Sequence, residues 1–403
     1  GLVGECLAAQ ESELEIVHRD GGRWVRRLRT ADPVPADSRP LTVRPDRTYV
    51  VAGATGMVGR ALARRLVALG ARHLALLSRT GGPAPALGDG VTVQVHACDL
   101  GSAADVTRAL AELAATAPPV GGVVHAAQEA ARDLPLAQQT WESLDAVFQA
   151  KVYGAWLLHE ATADLPELDF FLGCSTAGAL FGAATQTGAG AGAAFLDHLM
   201  AQRAGAGLPA TAVNWGPWAP REPGRQLSSS LVRSWEGQGI TLLDEDEATD
   251  ALPALLDAGR AQVLMGRCDW NRFVARRAPS ALFAELVSGS AADGTPTGVD
   301  ALADTPGAAR SAGINAIVRA RLADVLRFES ADDIEPDAEL AALGMDSLNA
   351  VEIRNALEAA FRITLPASVT FDRPGVDLLG AYIEELLSGA EAPAHEARTG
   401  AHR

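Results

Sequence analysis

Between residues 46 and 287 the chain alternates short apolar runs with longer stretches rich in Ala, Leu and Arg. The runs at 48–52, 73–78, 92–97 and 122–125 have the length and apolar content of strands. Between them, 59–69 and 103–114 place apolar residues at helical spacing. This alternation predicts an α/β domain with a doubly wound, mostly parallel, Rossmann-like sheet and helices on both faces. Residues 1–45 offer two strand-like runs, 14–17 and 24–28, and a polar stretch, too little for a domain of their own.

A different pattern closes the chain. Residues 288–312 are rich in Ser, Ala, Gly, Thr, Pro and Asp and read as a flexible linker. From 313 to 388 the spacing predicts a small all-α domain, with an amphipathic helix over 314–326, a polar loop over 329–337 and a second helix over 347–361. The polar, Ala-rich residues 389–403 read as a disordered tail.

With 403 residues, 48% of them hydrophobic and 21% charged, the chain is long enough for two or three buried cores. A net charge of −16, with no concentrated basic face in the sequence, argues against a nucleic-acid partner. Cys6, Cys98, Cys174 and Cys268 are far apart and suggest neither a disulfide framework nor a zinc site, so a reducing cytoplasm is expected and no metal. No apolar run suggests a membrane span or a leader, and the absence of a starting Met reads as a piece of a longer polypeptide.

Two motifs carry chemistry. Gly53, Gly56 and Gly59 follow the first strand and open a helix, where the missing side chains let a pyrophosphate approach backbone amides. Arg79, after the second strand, is the candidate for a 2′-phosphate, and Asp99, after the third, for adenine. The second motif is Gly344-Met345-Asp346-Ser347-Leu348, in which a hydroxyl stands at a helix entrance favoured by Asp346.

Around Ser347 the chain resembles the acyl carrier proteins of polyketide synthases, through that motif, Leu365-Pro366 and Phe371-Asp372-Arg373-Pro374. The resemblance implies a domain of four helices and 4′-phosphopantetheine attached to Ser347, with Leu348, Val351, Glu352 and Arg354 on a recognition helix. Residues 47–287 resemble the ketoreductase domain of modular type I polyketide synthases, a branch of the short-chain dehydrogenases. Beyond the glycines, the landmarks are His125-Ala126-Ala127, Ala150-Lys151-Val152, Cys174-Ser175-Thr176, Asn214-Trp215-Gly216-Pro217-Trp218 and Asp269-Trp270; residues 1–45 resemble the end of the family's preceding structural subdomain.

That family reduces a β-keto group with NADPH, using a tyrosine, a serine, a lysine and an asparagine. The resemblance sets Thr176 at the serine and Lys151, the chain's only lysine, at the lysine, one residue further from Thr176 than expected. Alignment on Phe181-Gly182 and Phe195-Leu196-Asp197 puts Ala189 at the tyrosine and Ala193 at the asparagine. Gln128 replaces a glycine beside the nicotinamide pocket, and 129–133 lacks the Leu-Asp-Asp motif of one stereochemical class. An alanine has no proton to give, so the domain is expected to be non-reducing and structural, with NADP binding doubtful.

The implied function is carriage of an acyl chain as a thioester. The implied partners are the ketosynthase and acyltransferase domains of the same synthase, a downstream acceptor domain and a phosphopantetheinyl transferase, within a homodimeric synthase. The rivals are C2 epimerisation by Thr176, Lys151 or His125, and residual NADPH-dependent reduction through a displaced donor. His125 is expected to be packed at a strand end, Lys151 to bond nearby carbonyls, His159 and His198 to be helical and not metal ligands, and Glu142 and Asp145 to be solvated.

Overall fold

The computed structural model describes residues 13, 15–31, 41–128, 134, 136–165, 167–182, 186–221, 227, 229–257, 259–275, 280–287, 308–326, 328, 330–345, 347–361, 363–366 and 368–390. The chain divides into two compact units, residues 32–236 with 240–268, and residues 1–31, 237–239 and 269–403.

The first unit is built on a seven-stranded sheet. Its strands are β3 (Thr48–Ala52), β4 (His73–Ser78), β5 (Thr92–Ala97), β6 (Val120–His125), β7 (Phe170–Thr176), β8 (Thr211–Trp215) and β9 (Gln262–Met265), in the order β9-β8-β7-β6-β3-β4-β5. All six pairings are parallel. Every residue of β3 is buried, and successive side chains feed two separate cores. Tyr49 and Val51 pack with Leu62 and Leu66 of α1 (Met57–Ala68), while Val50 and Ala52 join Val106, Ala109 and Leu113 of α2 (Ala103–Thr116).

The chain runs outward from β3 to β5, then returns across the sheet to β6 on the other side of β3. The order reverses there, and the crevice at the carboxyl ends of β3 and β6 is where an open α/β sheet takes a ligand. Three helices frame that side: α3 (Trp141–Phe148), α4 (Gly154–Thr162) and α5 (Thr187–Gly205), with a single π-turn, Gln149–Tyr153, joining the first two.

In the second unit, β1 (Ile16–Arg19) and β2 (Gly22–Val25) form a hairpin whose tip, Asp20 and Gly21, takes positive φ at both positions. That two-residue turn sets the register and places the strands later and earlier, respectively, than the runs 14–17 and 24–28. The carrier fold comprises α6 (Ala308–Leu326), α7 (Ser347–Phe361), the short α8 (Val369–Asp372) and α9 (Val376–Ala390). Its core takes Ile314, Val318 and Leu322 from α6, Ile353, Leu357 and Phe361 from α7, and Val376, Leu379 and Ile383 from α9.

Helix α6 starts ahead of the expected boundary at 313, because Ala308 and Ala309 are strong helix formers and the Ser311 hydroxyl reaches Glu384 of α9 at 2.9 Å. Helix α9 likewise runs to Ala390, past the expected end at 388. The rest of the linker segment, 288–307, and of the tail, 391–403, lie outside the described residues, as do Asp346 and 129–133.

Candidate functional site

At the reversal point, Gly53 leaves β3 with φ +86° and donates its N–H to the Leu77 carbonyl at 3.2 Å. A Cβ there would lie 2.5 Å from the Ala127 nitrogen, so the turn is pressed against the segment that follows β6. A Cβ at Gly59 would collide with the Gly53 carbonyl. Close packing therefore accounts for Gly53 and Gly59 without a ligand, while Gly56, at the N-cap of α1, leaves the first amides of the helix uncapped by any side chain. This turn is compatible with the pyrophosphate of NADP. Arg79 and Asp99 stand exposed just past β4 and β5, on the same edge of the sheet. The Asp99 carboxylate accepts the Gly101 N–H at 3.0 Å.

The other end of the crevice is built differently. Lys151 lies within the π-turn and is only 2% exposed. A π-turn holds one residue more than an α-turn, which accommodates the longer spacing to Thr176. Its Nζ donates to Gln128 Oε1 at 3.1 Å. Burial pulls its pKa below the usual lysine value, and Cys174 and Asp197 oppose that shift. His125, with no exposed surface, bonds through Nε2 to the Lys151 carbonyl at 3.3 Å. Burial, then the Lys151 charge, lower its pKa to about 4, so the ring is neutral and Nε2 donates.

Thr176 ends β7, its hydroxyl accepting the Gly178 N–H at 3.3 Å. Ala189 and Ala193 sit on α5, and Ala193 is fully buried, its carbonyl accepting from Ser175 Oγ at 3.4 Å. Gly192 packs on the Lys151 stem: a Cβ there would be 3.5 Å from Lys151 Cγ. A buried polar network underlies this helix. Asn214 Nδ2 faces Asp197 Oδ2 (2.9 Å), Ser175 Oγ (3.0 Å) and the Thr176 carbonyl (3.1 Å), and Asn214 Oδ1 accepts from Gln262 at 2.9 Å. In the sequence Asn214 and Asp197 stand only as family landmarks; the signal for their role is a carboxylate between the apolar pairs Phe195-Leu196 and Leu199-Met200.

Two of the three phenols, Tyr153 and Tyr49, are committed elsewhere. Tyr153 donates to Asp145 Oδ1 at 3.0 Å, which raises its pKa, while Tyr49 bonds the Arg44 backbone near the start of β3. Asp145 is partly exposed and also accepts from Gln149 Nε2, at 2.9 Å, while Glu142 is exposed. His159 Nδ1 accepts from Arg203, at 2.7 Å, and His198 bonds the Ala194 carbonyl. Among the described residues no cluster of three His, Cys, Asp or Glu side chains could hold a metal, and no helix is long and apolar enough to cross a membrane.

In the carrier fold, Gly344 turns the chain at φ +85°, and its N–H and that of Met345 bond the Ala341 and Leu340 carbonyls, each at 3.1 Å. Ser347 is then the first residue of α7. The preceding loop is tied down where Leu340 N–H meets the Pro374 carbonyl at 2.8 Å and Val376 N–H meets Ala338 at 3.1 Å. A helix N-terminus offers unpaired amides and the positive end of the helix dipole, a setting that suits a phosphodiester.

Residues 47–220 match the KR domain family, and residues 316–383 match the family of phosphopantetheine attachment sites. A type I polyketide synthase of Mycobacterium tuberculosis, named as an inactive phenolphthiocerol-synthesis enzyme, is 38% identical over 86% of this chain and 23% of its own length. The polyketide synthase GfsA of Streptomyces halstedii is 35% identical over 98% of the chain and 6% of its own. The chain thus spans less than a quarter of the length of either relative. Among solved structures, an A1-type ketoreductase superposes with TM-score 0.62 at 34% identity, over 71% of this chain and 61% of that one. The first ketoreductase of the tylosin synthase gives 0.60 at 36%, over 71% and 62%.

Proposed function

Because the chain belongs to the type I polyketide synthases, as a ketoreductase-family domain followed by a phosphopantetheine carrier domain, we propose that its work is carriage without reduction. Ser347 is the attachment residue, and the arm it bears holds the acyl chain as a thioester. Tethering brings that thioester to neighbouring domains at high effective concentration. The partners are the ketosynthase and acyltransferase of the same synthase, the next acceptor domain and a phosphopantetheinyl transferase, whose basic surface complements a chain of net charge −16. The setting is cytoplasmic.

The ketoreductase-family domain is a scaffold that leaves the β-keto group intact. The observation that carries this reading is the absence of a proton donor. Ala189 and Ala193 lie on α5, whose Gly192 packs on Lys151; of the chain's three tyrosines, Tyr49 and Tyr153 are bonded elsewhere and Tyr382 belongs to the carrier. Epimerisation at C2 draws little support, because His125 is buried and bonded to the backbone and Lys151 is buried and donates to Gln128.

Incubation with coenzyme A and a phosphopantetheinyl transferase tests the carrier role. Intact mass is expected to rise by one phosphopantetheine in the wild type and not at all in Ser347→Ala; loading of Ser347→Ala would refute the assignment.

A further inference from the structure

Lys151 is the only lysine in 403 residues, and it is buried. A buried ammonium is tolerated only when its charge is met by an acceptor. Here the acceptor is a side chain on the rim: Gln128 is itself exposed, directly follows Ala127 at the glycine turn, and reaches inward to Nζ at 3.1 Å. Because an ammonium only donates, the amide must present Oε1 to it, and Nε2 is turned the other way.

Helix α5 brings the missing groups to the same spot. Gly192 lies on the Lys151 stem, and residue 189, three positions earlier, shares that helix face. A phenol placed at 189 would therefore meet Lys151 with its ammonium already engaged.

We propose that Gln128 is a second lock on the reductase site, separate from the lost phenol. It takes up the Lys151 ammonium that a proton relay would use and fills the rim of the crevice beside the glycine turn. The inference rests on the reading that the domain does not reduce. Its consequence is that restoring residues 189 and 193 alone leaves the site closed, and opening it requires removal of the Gln128 side chain as well.

Two measurements on the full chain test this. The first uses the single lysine as its own reporter, through the rate of reductive methylation of Lys151 under native conditions, with the N-terminal amine as internal standard. Removing the amide withdraws a hydrogen bond from the charged form and opens the rim, so Gln128→Gly and Gln128→Ala are both expected to react about tenfold faster or more than wild type. Equal rates would show that Gln128 does not shield the lysine.

The second follows NADPH-dependent reduction of a β-ketoacyl thioester. Wild type and Ala189→Tyr/Ala193→Asn are expected to be silent, and the same pair combined with Gln128→Gly active. If the double variant is as active as the triple, or if the triple, folded and with its lysine reactive, stays silent, the lock is refuted and the non-reducing reading survives. Reduction by the wild type would instead overturn that underlying reading.

Discussion

His125 ends β6 with no exposed surface, and the fold accepts only its neutral form. Burial first, and the neighbouring Lys151 charge second, set its pKa at about 4 in the folded state, against about 6.5 for an unperturbed histidine. Above pH 6.5 the ring is neutral in both states and costs nothing. Below it the unfolded chain binds a proton that the folded chain refuses, so stability falls by about 1.4 kcal/mol per pH unit until roughly pH 4. Between pH 7 and 5 this single group removes about 2 kcal/mol. Urea unfolding at the two pH values should therefore show a smaller loss for His125→Gln than for wild type; parallel losses would contradict the assignment. The packed role of His125 was legible from its place at the end of an apolar run. The Arg203–His159 pair was not, because it joins residues 44 apart in sequence, with Arg203 buried over the Phe171 ring at 4.4 Å from its centroid.

At the scale of elements, α5 opens on Gly188, Gly190 and Gly192, each a poorer helix former than alanine by about 1 kcal/mol. Gly192 lies against Lys151 and Gly188 against Leu144, whereas a Cβ at Gly190 would meet nothing within 4 Å. Gly190→Ala should thus raise the unfolding free energy by about 0.5–1 kcal/mol, read from a denaturant midpoint; a lowered midpoint would mean the position has a neighbour or a strain that its open surroundings do not suggest. The strands β3, β4 and β5 and helix α7 stand where apolar runs and spacing put them, since each is long enough for its pattern to repeat. What escaped was local geometry without a periodic signature. A π-turn differs from a helix by one residue, a two-residue hairpin tip moved both of its strands, and the partner that takes Lys151 lies 23 residues away.

Over the whole molecule, two pieces of chemistry stand in contrast. The carrier fold keeps each feature its task needs: a left-handed glycine, a loop pinned at both ends and a serine at the first position of a helix. The ketoreductase-family fold keeps its sheet, its glycine turn and its buried Asn214–Asp197 network, while the side of the crevice where hydride and proton would pass holds alanines and an engaged lysine. Folding alone is reason enough to retain Gly53 and Gly59, so the glycine motif by itself never distinguished a working reductase from a scaffold. On the proposed function, an acyl chain carried on this protein keeps its β-keto group. The most direct test loads a β-ketoacyl phosphopantetheine onto the wild-type chain, adds excess NADPH and follows the mass of the carried acyl group. The keto mass is expected to stay unchanged over hours; a gain of two hydrogens on the tethered chain would show that the domain reduces.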